Sequence, residues 1–77
     1  MVDAYILIQA EVGKAAEVAR GSGKIKGVTA SNAVTGPYDV VVTAEARNLD
    51  ELSKQIVVKI QEIPGVTRTL TCPVVRL

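Results

Sequence analysis

Apolar positions along this chain come in two spacings, and the two alternate. Residues 2–10, VDAYILIQA, form a short run rich in β-branched and aromatic side chains, which predicts a first strand. The spacing then changes. Ala15, Ala16, Val18 and Ala19 lay a small apolar stripe along a helix, which Gly21-Ser22-Gly23 is expected to end. A second strand resumes from about Val28, and a turn at residues 35–38 leads into a third, DVVVTAEA. Asn48 offers a helix N-cap with Glu51 three residues on, as in a capping box. Leu49, Leu52, Ile56, Ile60 and Ile63 recur at helical spacing until Pro64-Gly65 stops the helix, and VTRTLTCPVV runs out as a fourth strand.

The two halves rhyme. Ile-Lys-Gly-Val-Thr at 25–29 and Ile-Pro-Gly-Val-Thr at 63–67 each follow a helix and open a strand. The order is therefore β-α-β-β-α-β. With right-handed crossovers this predicts an α+β, ferredoxin-like sandwich: one antiparallel sheet with both helices on one face. Tyr5-Ile6-Leu7-Ile8 and Val40-Val41-Val42 do not alternate with polar residues, so the sheet is apolar on both sides. Helices cover only one. The other face calls for a second copy, in the manner of a dimeric α/β barrel.

Composition sharpens this. A chain of 77 residues is one domain, and at this size folding buries only about 60 % of the unfolded surface. Cys72 is the sole cysteine, so no disulfide framework adds stability, and self-association is the available source. Cys72 itself reads as a small buried apolar residue. The absence of histidine removes the commonest general base and most metal sites. A net charge of +1 with no basic segment argues against direct nucleic-acid binding. The N-terminal apolar run is too short for a signal sequence or membrane span, which predicts a cytoplasmic protein.

The stretch from Val34 onward, VTGPYDVVVTAEARNLDELSKQIVVKIQEIPGVTRTLTCPVV, resembles the effector-binding (RAM) domain of the Lrp/AsnC family of transcription regulators. Its marks are Gly36-Pro37-Tyr38-Asp39, Ile63-Pro64-Gly65-Val66, and Thr69 and Thr71. The first helix with its Gly-Ser-Gly matches less well. The resemblance implies one ligand-binding domain over residues 1–77, of the stand-alone kind that lacks the family's helix-turn-helix. It implies homodimers through the sheet and rings of dimers, octamer or decamer, with a DNA-binding Lrp/AsnC relative as a further partner. It also implies a small-molecule effector, usually an amino acid, bound in clefts lined by the turn.

The turn suits that ligand. A glycine turn lets backbone N–H groups converge on a carboxylate. Asp39 can accept charge-assisted hydrogen bonds from an α-ammonium. The candidate ligand-binding set is Thr35, Gly36, Pro37, Tyr38, Asp39, Thr69 and Thr71. Pro37 has no N–H to donate, which lowers the donor count. A plainer reading stands beside each: Gly36-Pro37 as ordinary turn chemistry, Asp39 as the acceptor of a local N–H, Tyr38 as a packing residue, the threonines as strand formers. Arg68 falls on the opposite side of its strand from the threonines. No cofactor, metal or catalytic group is indicated. The alternative is a small dimeric ferredoxin-like enzyme of oxygenase or isomerase type, running on carboxylates, tyrosine or one thiol.

Overall fold

The computed structural model describes residues 1–77, with β1 (Val2–Ala10), α1 (Ala15–Gly23), β2 (Val28–Ala33), β3 (Val40–Ala46), a second helix over residues 49–61, and β4 (Val66–Pro73). The second helix runs through three consecutive segments: α2 (Leu49–Glu51), a π-helical stretch (Leu52–Val57) and α3 (Val58–Gln61). The strands make one antiparallel sheet in the order β2-β3-β1-β4, the ferredoxin-like arrangement. No helix is long and apolar enough to cross a membrane.

The core lies between the helices and one sheet face. Ala4, Ile6 and Ile8 of β1 meet Val40, Val42, Ala44 and Ala46 of β3, under Val18 of α1 and Leu52, Ile56 and Ile60 of the second helix. The four-residue spacing of those last three puts them on one helical face. Burying each large aliphatic side chain is worth about 1.5–3 kcal/mol. Leu49 does not join them and is 59 % exposed. It starts the first turn, whose neighbours Asn48, Asp50 and Glu51 line a cleft.

Two local details sharpen the reading. The Gly-Ser-Gly run ends α1 at Gly23, but as its last helical turn, with Ser22 one turn beyond Val18 and fully buried with it. Ala16 points to solvent. The capping box is offset by one residue. Asn48 Oδ1 accepts the Glu51 N–H at 2.8 Å, but the Glu51 carboxylate reaches back to the N–H of Arg47, not of Asn48. That backbone bond, with a second from the Arg47 guanidinium, holds the Glu51 carboxyl below the usual carboxylate range.

The five-residue echo is a structural repeat. Gly27 and Gly65 have φ of 100° and 101°, and each carbonyl accepts a glutamate N–H at 2.8 Å, from Glu45 and Glu11 respectively. Each valine N–H returns to the isoleucine carbonyl three residues back. Each threonine is then the extra residue of a β-bulge: Thr29 between β2 and β3, Thr67 between β4 and β1. Its hydroxyl donates to the facing carbonyl at 3.1 Å, Thr43 in one half and Gln9 in the other. Each glycine also packs on the other half's helix. A Cβ on Gly27 would stand 2.7 Å from Ile56, and one on Gly65 would stand 3.0 Å from Lys14.

The second sheet face is bare. Direct pairing aligns Val41, Leu7 and Leu70 in one row across three strands, with Thr43, Tyr5 and Cys72 in the next. Tyr5 is 50 % and Leu70 45 % exposed. Cys72 is exposed on this face, not buried as its chemistry suggested, because the inward positions of β4 belong to Thr69 and Thr71.

Candidate functional site

The turn between β2 and β3 stands where β1 ends, and Asp39 joins the two. Its N–H donates to the Ile8 carbonyl at 2.9 Å, and its carbonyl accepts the Val34 N–H at 2.9 Å, closing the hairpin loop. Its carboxylate Oδ2 accepts the Ala10 N–H at 2.8 Å. The last backbone pair of the β1–β3 ladder is Ile8 with Val40, so the carboxylate supplies one further step after the backbone has turned away. Asp39 thus accepts a backbone N–H, as its plainer reading has it, but from another strand. Its Oδ1 makes no hydrogen bond within the chain.

A second bond holds the tip. Gln9 Nε2 donates to the Pro37 carbonyl at 3.2 Å. Pro37 therefore contributes an acceptor where it lacks a donor. Thr35, Gly36 and Pro37 are exposed; Tyr38 and Asp39 are half-buried. The turn is well fixed at its base and open at its tip.

Thr69 and Thr71 share the helix side of β4, opposite Ile8 and Ile6, with Arg68 on the bare face. Thr69 is engaged: its hydroxyl accepts from Gln61 Nε2 at 3.0 Å. Within one chain β1 lies between β4 and β3, so the two threonines and the turn are not brought together. Two surface clefts are elsewhere as well. One of about 860 Å³ lies at the opposite end of the sheet, between Gly27, Arg47 and Lys59. A smaller one of about 310 Å³ lies on the bare face near Asp3 and Thr43. Neither is lined by any of residues 35–39, 69 or 71.

Sequence reasoning missed Gln9 and Thr67. The repeated Ile-x-Gly-Val-Thr was the available signal for Thr67, since both of its threonines do the same work. Gln9 carried a fainter one, as a lone amide near the end of an otherwise apolar strand.

Comparison with known proteins bears on this site. Residues 3–77 match the family model described as Lrp/AsnC ligand binding domain. The HTH-type transcriptional regulator FL11 of Pyrococcus abyssi is 40 % identical over 73 residues, covering 95 % of this chain and 48 % of that protein. The chain spans half or less of the length of the curated relatives it matches. Among solved structures, TTHA0845 from Thermus thermophilus superposes with a TM-score of 0.91 at 27 % identity, covering 100 % of this chain and 96 % of that one. A transcriptional regulator from Neisseria meningitidis, solved as a complex with L-Met, shares the fold with a TM-score of 0.82 at 21 % identity, covering 97 % and 50 %.

Proposed function

The chain belongs to the Lrp/AsnC ligand binding domain family, and from that premise we propose that it is a module that binds an amino-acid effector at the 35–39 turn and assembles around it. The observation that carries this reading is Asp39: one carboxylate oxygen is fixed by the Ala10 N–H, and the other is left for a ligand. An α-ammonium is a chemical match for that oxygen. The exposed tip at Gly36 and Pro37 leaves room for the α-carboxylate beside it. The L-Met in the Neisseria regulator supports the ligand class.

Assembly completes the site. Thr69 and Thr71 reach the turn only from a neighbouring copy, so the ligand lies between subunits. The Val41-Leu7-Leu70 row is the surface through which two copies pair, and dimers then join into a ring. Leu70→Glu is expected to lower the mass measured by light scattering; an unchanged mass would place the contact elsewhere. The relatives are named transcriptional regulators, and the role proposed is binding rather than catalysis, in the cytoplasm, alongside a DNA-binding relative.

The test is a thermal-unfolding panel against the twenty common L-amino acids, run on wild type and Asp39→Asn. Asparagine is the sharper probe, because it still accepts the Ala10 N–H while losing the charge. Alanine would remove both at once. Wild type is expected to gain about 2.7 kcal/mol when ligand is a hundredfold above its Kd. A hydrogen bond to a charged group is worth about 1.5–3 kcal/mol, so Asp39→Asn should bind roughly 10- to 100-fold more weakly. A flat wild-type panel sinks the effector reading. Equal shifts in both proteins remove the Asp39 charge from it.

A further inference from the structure

We infer that Gln9 is the positioning residue of the effector turn, an inference that rests on the proposed site. Gln9 is half-buried and held at both ends. Its carbonyl accepts the Thr67 hydroxyl at the β4 bulge, and its side-chain amide donates to the Pro37 carbonyl 28 residues away. Between Val34 and Asp39 the loop makes no backbone hydrogen bond to the sheet. Asp39 fixes its base, and the Gln9 amide is the single side-chain tie to its tip.

The consequence is geometric. Without the amide, the segment from Thr35 to Tyr38 is free to pivot about Asp39, and the N–H groups proposed to meet a carboxylate are no longer held in place. The Asp39 oxygen stays where it was. Gln9 therefore governs affinity for the carboxylate end of the ligand without touching the ligand, and it links the turn to the bulge that opens β4.

Two variants test this: Gln9→Ala, which removes the donor, and Gln9→Lys, which keeps one on a stem of similar length. Backbone ¹⁵N order parameters at Thr35, Gly36 and Tyr38 are measured on wild type and both variants. The amino-acid panel is run on the same samples. Gln9→Ala is expected to lower the order parameters of those three residues, and Gln9→Lys to restore them. Any amino acid that shifts wild type should bind Gln9→Ala about 3- to 10-fold more weakly, as for one net hydrogen bond, and Gln9→Lys nearly normally. Unchanged turn order in Gln9→Ala overturns the inference whatever the panel shows. Unchanged affinity in Gln9→Ala overturns it too. A flat wild-type panel refutes the effector reading alone, and the relaxation data still decide for or against Gln9.

Discussion

Ser22 is the one buried side chain whose polar atom has no partner. It is 0 % exposed, and its Oγ makes no hydrogen bond. A buried, unsatisfied hydroxyl costs about 1–3 kcal/mol. Replacing it with alanine removes that cost and adds up to about 0.5 kcal/mol of helix propensity. Against this stands the loss of one atom's packing, at about 0.1–0.2 kcal/mol per contact. The net expectation for Ser22→Ala is a gain of about 1–2 kcal/mol, which in a domain of this size raises Tm on the order of 5–10 °C. Ser31→Ala is the control. That hydroxyl donates to the Ala19 carbonyl at 2.8 Å, so its removal should cost about 1 kcal/mol. Scanning calorimetry suits both, since the chain has no tryptophan. Protein concentration must be matched, because assembly shifts apparent stability. A lower Tm for Ser22→Ala would refute the reasoning.

Two further predictions concern the helix-to-strand turns and acid stability. Gly27→Ala places a Cβ 2.7 Å from the buried Ile56 and 3.0 Å from the Glu45 carbonyl, at a φ of 100°. It should destabilise by about 2–4 kcal/mol in calorimetry. Gly65→Ala, at a φ of 101°, meets side-chain atoms only, Lys14 Cβ at 3.0 Å being the nearest, and should cost less, so the reverse order would contradict the packing argument. The Glu51 carboxyl is held below its ordinary range by the Arg47 N–H, so its contribution is present above the unfolded-state pKa and lost as pH falls through the folded one. Glu51→Gln should flatten the acid limb of the stability–pH curve. A curve parallel to wild type would rule that contribution out.

Much of the fold was legible because its signals are local. The change of hydrophobic spacing separated strands from helices, and Asn48 and Pro64-Gly65 bracketed the second helix where the structure has it. The repeated Ile-x-Gly-Val-Thr went further than order alone. The same four residues impose the same φ, the same carbonyl acceptor and the same bulge in both halves. The unalternating runs at Tyr5–Ile8 and Val40–Val42 foretold a sheet apolar on both faces, and Tyr5, Leu7, Val41 and Leu70 lie on its uncovered side.

What the sequence could not decide depends on which distant residues meet. Nothing near Asp39 in the chain announces Ala10, 29 positions away; the carboxylate finds that N–H only because β1 and β3 pair. Gln9 and Pro37 meet for the same reason. Cys72 looked like a core residue by chemistry and is exposed by parity, since a strand alternates faces and Thr71 beside it takes the helix side. The burial of Ser22 is likewise a result of packing: α1 ends at Gly23 as expected, but only the fold turns the serine between the two glycines inward. Propensity and spacing are properties of short segments and can be read from them. The partner of a hydrogen bond, and the face a residue takes, are set by sheet register, which exists only once the chain has folded.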